Sequence, residues 1–194
     1  DKSLTFTTVN QRLTFREKTK MASLRKAKCY RNIVRAYTRR SKVRGKDFIK
    51  AVPHSKIVTF NMGDLKGTFT HKIYFIAKTD HQIRHNALES TRQIVNRHLI
   101  DEVGAKGYFF QILAYPHHVL RENKMLTGAG ADRMSTGMSH PFGRAVGLAA
   151  QVKKGKRVLV VKVNENNIDK AKKVLALAFS RLPSKYLIQA EKNN

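Results

Sequence analysis

Between the apolar runs Tyr108–Tyr115 and Val146–Val152 lie 25 residues, Arg121 to Ala145, reading RENKMLTGAGADRMSTGMSHPFGRA, with neither helical nor strand periodicity. A connection this long is uncommon in a compact domain, and where it occurs it is usually functional or disordered. Any fold for this chain must therefore project the segment from a core built by the rest. Its four glycines, Gly128, Gly130, Gly137 and Gly143, let backbone lie close against another surface, and Arg121, Lys124, Arg133 and Arg144 suit a phosphate-bearing partner. The segment reads as a probe that touches RNA.

Charge points the same way. Lys and Arg number 39 against 13 Asp and Glu in 194 residues, a formal net charge of +26. That excess repels itself in any compact state unless a polyanion neutralises it, so the expected partner is nucleic acid. A basic membrane-surface protein would gather its charge beside an amphipathic helix with Trp, Phe and Leu on the apolar face, but Trp is absent. No run approaches the ~18 apolar residues of a membrane span, and the first residues lack the apolar stretch of a secretory signal. One cysteine, Cys29, leaves no internal disulfide and no cysteine zinc site, which fits a reducing, cytosolic setting. The length suits one core domain with extensions.

From Arg25 to Lys50 there are eleven Lys or Arg and one acid, Asp47. Apolar surface there is too sparse to offset the entropy of ordering, so the segment is expected to order only against RNA. Arg25, Lys26, Lys28, Arg31, Arg35, Arg39, Arg40 and Arg44 would sit on phosphates, and the rings of Tyr30 and Tyr37 would stack on bases. Cys29, flanked by Lys28 and Arg31, could be a reactive thiol, but reads better as a small residue packed against RNA. The plainer alternative is a solvated basic tail; the charge of the whole chain favours contact.

The remaining residues predict an α+β fold with a mixed or antiparallel sheet and two helices. Lys56–Met62 and Lys72–Lys78 read as strands pairing in a hairpin. A helix is expected over Gln82–Val103, ended by Gly104 and Gly107, with His98 on its apolar side as a satisfied core histidine and Arg84, Arg92 and Arg97 on the opposite face. Tyr108–Tyr115 is a strand that Pro116 interrupts and Val119–Leu120 resumes. Val146–Val152 and Arg157–Val163 read as a hairpin about the basic turn Lys153, Lys154, Gly155 and Lys156, whose lysines join the expected RNA contacts. A second helix carries Ile168, Ala171, Leu175, Ala178, Phe179 and Leu182 inward, with Asn166 as N-cap and Pro183 as its stop, before a short strand Tyr186–Ala190. In domain terms, residues 1–20 lie outside the core, 21–52 form the basic segment, 53–190 the core domain, and 191–194 a tail.

Catalytic readings fare poorly. The turn Gly128-Ala129-Gly130-Ala131-Asp132 faintly resembles a nucleotide or methyl-donor site, which would make the chain an RNA-modifying enzyme. Such a turn should follow directly on a buried strand and open a helix, and Glu122 to Met125 intervene. His117 and His118 are neighbours that point to opposite faces in extended chain, a poor start for a metal site. His140, beside Pro141 in the loop, is the one histidine with a functional reading. Glu122 and Asp132 stand ten residues apart next to Arg121 and Arg133, where electrostatic balance explains them better than acid–base work. No cofactor is expected.

The segments KAKCYRNIVRAYTRR (26–40), KIVTFNMGD (56–64), YPHHVLRENKMLTGAGADRMSTGM (115–138) and FGRAVGLAAQVKKGKRVLVVKVNENN (142–167) together resemble the universal large-subunit ribosomal protein family, called L-sixteen in bacteria and L-ten-e in archaea and eukaryotes. The CYR start and the HHVLRENKML run look like the archaeal and eukaryotic branch. The resemblance implies a structural protein of the large subunit with a hammerhead-like β motif, bound to rRNA beside the tRNA cleft and in contact with neighbouring ribosomal proteins. It also implies that the loop matching Arg121–Arg144 reaches toward the peptidyl transferase centre and the acceptor end of tRNA, carrying Arg121, Lys124, Gly128, Gly130, Arg133, His140 and Arg144. In eukaryotic members it further implies late cytoplasmic joining, with the release of subunit export and maturation factors.

Overall fold

The computed structural model describes residues 25–38, 49, 51–123, 130 and 143–193. Among these, eight strands and two α-helices follow one another as β1 (Asn61–Gly63), β2 (His71–Ala77), β3 (His81–Arg84), α1 (His85–Val103), β4 (Tyr108–Ile112), β5 (His118–Glu122), β6 (Arg144–Val152), β7 (Arg157–Val163), α2 (Ile168–Ala176) and β8 (Tyr186–Lys192). Five strands form one sheet in the order β1-β4-β7-β2-β8, and β3-β6-β5 form a second. Every pairing is antiparallel, so the fold is the α+β class that the composition of elements predicts.

The larger sheet is amphipathic by alternation. Ile73, Phe75 and Ala77 of β2, Tyr108, Phe110 and Ile112 of β4, and Leu159, Val161 and Val163 of β7 share one core with Leu88, Val95 and Leu99 of α1 and Ala171, Val174 and Leu175 of α2. Both helices therefore cover the same face of the five-stranded sheet. Phe75 sits at the centre, its ring stacked on Tyr186 at 4.5 Å and tilted against Phe179 at 5.1 Å.

The helices end where the sequence says. Gly104 takes φ 89 and returns its N–H to the Ile100 carbonyl at 3.0 Å, closing α1. The start of α1 differs from expectation, because Gln82, Ile83 and Arg84 belong to β3, held against Gln151, Ala150 and Ala149 of β6. His98 is exposed rather than packed in the core, since the buried stripe runs through His85, Leu88, Thr91, Val95 and Leu99. In the second helix a 3-10 turn, Glu165–Asn167, precedes α2, and the cap position falls on Asn167 instead of Asn166, without a side-chain hydrogen bond. A further 3-10 turn, Leu177–Ser180, brings the chain to Pro183 and then β8, which runs two residues past Ala190.

Three strand pairings depart from local expectation. β1 pairs with β4 and β2 with β7 and β8, so residues 64–70 bridge two intervening strands rather than close a hairpin. Beyond Pro116 the chain leaves the large sheet, and β5 joins the small one beside β6. β6 and β7 also lie in different sheets. The turn between them is tight, with the Lys156 N–H on the Lys153 carbonyl at 3.1 Å, but it is tied to β2: Gly155 N–H donates to Ala77 O at 2.8 Å and Ala77 N–H to Lys156 O at 3.0 Å.

At the end of β1, Gly63 has φ 83, and a Cβ there would overlap the Tyr108 carbonyl oxygen, which accepts the Asp64 N–H at 2.9 Å. Gly63→Ala is therefore expected to lower stability by about 2 kcal/mol or more, through left-handed strain plus a clash with backbone. Chemical denaturation of the purified variant measures it, and an unchanged midpoint would contradict this account.

Candidate nucleic-acid interface

The basic segment is not left free of the core. Residues Arg31 to Tyr37 run as a strap across the three-stranded sheet from one edge to the other. At the β3 edge, Gln82 N–H donates to the Arg31 carbonyl at 2.8 Å; at the β5 edge, Val119 N–H donates to the Tyr37 carbonyl at 3.0 Å. Between them, side chains from one face of the sheet take up the strap's polar backbone. The Gln82 amide donates to the Asn32 carbonyl, the Gln151 amide to the Val34 carbonyl at 2.7 Å, and His118 Nδ1 accepts the Tyr37 N–H at 2.7 Å. Gln82 and Gln151 are register partners, and His118 stands opposite Ala149 on β6, the residue that also faces Arg84, so the three anchors share one side.

For residues 25–38 this ordering corrects the expectation that the segment orders only against RNA; residues 39–48 and Lys50 lie outside the described residues. A strap that satisfies its carbonyls on side-chain amides needs little apolar burial to stay in place. With its backbone turned to the sheet, the strap leaves Arg31 and Arg35 exposed, and Arg25, Lys26, Lys28 and Cys29, just before it, are exposed too.

His118 is buried, and burial first, then the nearby His117 and Arg121, lowers its pKa to about 4. It is therefore neutral at pH 7, and because Nδ1 accepts from Tyr37 its proton resides on Nε2. His85 plays a parallel part: Nδ1 accepts the Lys56 N–H at 3.2 Å, and burial, with Lys56 and Arg84 adding to it, lowers its pKa as well. His117 turns its Nδ1 to the Tyr115 carbonyl at 3.0 Å, away from the strap. Among the described residues no group of three or more His, Cys, Asp and Glu is placed to hold a metal ion.

The strap also meets the stem of the long loop. Arg121 and Glu122 are the last residues of β5, paired with Ala145 and Arg144 of β6 after an irregularity at Leu120/Arg121, so the outer ends of the segment are strand. The Tyr30 hydroxyl donates to Glu122 Oε2 at 3.0 Å and Arg25 pairs with Glu122 at 3.8 Å, while the Arg121 guanidinium lies 4.0 Å over the Tyr37 ring. Arg84 ties the corner, donating to the Arg25 carbonyl at 3.1 Å with its guanidinium 5.5 Å over Tyr30. Glu122 is thus balanced by Arg25 and Tyr30 across the chain rather than by its neighbour Arg121. Both rings expected to stack on bases are half-buried against the stem.

Of the residues singled out from sequence, the strap cations, Arg121 and Arg144 of the stem, and Lys153, Lys154 and Lys156 are placed; the last three are exposed, and Lys154 N–H is anchored on Asp80 at 2.6 Å. Gly130 is described with φ 78. Arg39, Arg40, Arg44, Lys124, Gly128, Arg133 and His140 lie outside the described residues, as does the remainder of the glycine turn. Sequence reasoning passed over Gln82, Gln151 and His118. Their only signal was polarity beside an apolar neighbour, Ile83, Val152 and Val119 in turn.

A family described as Ribosomal protein L16p/L10e matches residues 34–189, spanning the end of the strap, both sheets, both helices and the loop stem. The chain belongs to this family. Among its similar relatives are proteins named large ribosomal subunit protein uL16 from three archaea. That of Methanococcus maripaludis is 45% identical over 163 residues, 84% of this chain and 91% of the relative. That of Methanococcus aeolicus is 46% identical over 164 residues, with the same shares, and that of Methanosphaerula palustris is 48% identical over 158 residues, 81% of this chain and 88% of the relative. Membership places the chain on the archaeal side of the L16p/L10e family, whose members are structural ribosomal proteins and not enzymes. The methyl-donor reading of the glycine turn is thereby set aside. Among the described residues no helix is long and apolar enough to cross a membrane.

Proposed function

We propose that the chain is a structural constituent of the large ribosomal subunit that binds rRNA beside the tRNA cleft and extends its long loop toward the peptidyl transferase centre, supporting tRNA positioning and late subunit maturation. One observation carries the rRNA part: a strap that gives its backbone to the protein and its cations to the outside. The backbone that carries those cations, like that of the turn with Lys153, Lys154 and Lys156, is anchored to the sheets, so neutralising phosphates with them releases counterions without ordering that backbone. Nothing in such a site moves protons or electrons; it holds RNA in place. The loop's part rests on its small-residue composition and its arginines, which allow close backbone approach and charge contact at once. The partners of this reading are large-subunit rRNA, tRNA, adjoining ribosomal proteins and maturation factors.

Sedimentation of cell extracts at physiological salt tests the assignment: the chain should co-migrate with large subunits at one copy each, and its recovery outside them would refute it. The loop is tested separately. Arg121→Ala with Arg133→Ala is expected to slow tRNA accommodation or the last maturation steps, with a loss of stability of only about 1 kcal/mol from the contact of Arg121 with the Tyr37 ring, which a melt of the free variant measures. Unimpaired translation and maturation in that double variant would defeat the loop's role.

A further inference from the structure

Both helices cover one face of the five-stranded sheet, and among the described residues the opposite face carries no helix. Its residues alternate with the buried core positions: Lys72 and Tyr74 on β2, Val160 and Lys162 on β7, Phe109 and Gln111 on β4. In this array Lys72 stands directly opposite Lys162 on the adjacent strand. Like charges directly opposite in an antiparallel pair are destabilising, and here they occupy two inner strands of the sheet. Glu191 faces Lys72 from β8, but its carboxylate goes to Arg157 at 3.6 Å, and neither lysine has a carboxylate within 4 Å among the described residues. With Glu191 set against Lys72, Lys162 and Arg157, the face keeps a net positive charge that a polyanion would neutralise.

The cations of this face are also spread flat. Arg157 lies 4.0 Å over the Tyr74 ring and the Lys162 ammonium 4.9 Å over Phe109, and both rings are only 9% exposed. The rings are thus covered by their own cations and not open to stack on bases, while the charged heads face outward. Such an array offers positive charge without base readout, which is chemistry for a phosphodiester backbone.

The helical side contrasts with it. Residues 85–107 and 164–182 hold seven Lys or Arg against five acids, some of them joined in the pairs Arg92–Glu89 at 2.7 Å and Lys172–Asp169 at 3.7 Å. We propose that the helix-free face of the five-stranded sheet is a second RNA-docking surface, gripping phosphates through Lys72, Lys162 and Arg157, with the helical layer turned away from RNA. This rests on the rRNA-binding reading and adds a face that the strap does not reach.

Lysine acetylation followed by mass spectrometry, performed on the free protein and on purified large subunits containing it, tests the proposal. Lys72 and Lys162 should be modified at least tenfold more slowly in subunits, and regain reactivity when the subunits are digested with ribonuclease; Lys106 and Lys173 of the helical layer should react alike in all samples. Full reactivity of Lys72 and Lys162 in intact subunits overturns the proposal while leaving the ribosomal assignment standing. Protection that survives ribonuclease also overturns it, since it assigns the face to an acidic protein. A second measurement uses Lys72→Gln with Lys162→Gln, binding to subunits depleted of this protein. The slope of log K against log salt should fall by roughly two, about 0.9 for each phosphate no longer neutralised, and Lys72→Arg with Lys162→Arg should restore it. Because the double Gln variant removes a repulsion, its melting temperature as free protein should be no lower than that of the parent. An unchanged salt slope counts against the docking face.

Discussion

Phe75→Ala is expected to destabilise the free protein by about 4 kcal/mol, the middle of the range for a large buried aromatic truncated in a packed core. Phe75 has no exposed surface and stands where the sheet meets Tyr186 of β8 and Phe179 beyond α2, so its removal leaves a cavity beside the Tyr186 ring, which cannot close in without moving the last strand. A domain of this size has roughly 5–15 kcal/mol in total, and this one also bears the self-repulsion of its net charge. The isolated variant should therefore be largely unfolded near physiological temperature. Binding acts only on the folded state, so polyanion or subunit rRNA should raise the variant's apparent melting temperature by mass action. Circular dichroism melts with and without rRNA measure both effects; a variant that melts like the parent would show that the core does not depend on this ring.

The second large effect is a pH dependence centred on the strap. The folded-state pKa of His118, about 4, lies below its ordinary value of 6.5, so between those values the unfolded chain binds the proton and the folded chain does not. Stability is then fully present above about pH 6.5 and declines as pH falls toward 4, by about 3 kcal/mol over the window for this group alone. His81 adds in the same direction. Its Nδ1–H donates to the Thr79 carbonyl at 2.7 Å and its Nε2 accepts from the Tyr186 hydroxyl at 2.5 Å, and burial lowers its pKa. His118→Asn puts an amide oxygen where Nδ1 accepts the Tyr37 N–H and removes the titrating ring. Denaturation midpoints of parent and variant between pH 7.5 and 4.5 should therefore converge as pH falls, the parent losing more. Parallel curves would mean that His118 is not the group responsible.

What could be read from sequence was what depends on neighbours in the chain. The period of Leu88, Val95 and Leu99, the stop at Gly104, the apolar stripe through Ala171 and Leu175, and the strand character of Tyr108–Ile112 and Arg157–Val163 are local, and the structure agrees with them. Partnership is not local. Gln82-Ile83-Arg84 satisfies helical spacing as well as strand alternation, and only β6, some sixty-five residues on, decides for strand. The same non-locality misplaced β1 and β2, and β6 and β7, where short separations suggested hairpins. In the candidate site the cations were legible because charge is compositional. Their ordering was not, since it depends on Gln82, Gln151 and His118, which look like ordinary polar residues until Asn32, Val34 and Tyr37 lie across them.

The strap has a bearing on the life of the molecule before assembly. In the three-stranded sheet, β3 and β5 are the borders, and unpaired borders are templates on which a second chain adds its own strand. Arg31 occupies a donor on one border and Tyr37 a donor on the other, so the same seven residues that hold cations outward also blunt both borders of this sheet. These two borders are in this way withheld from a second copy of the chain before any RNA is met.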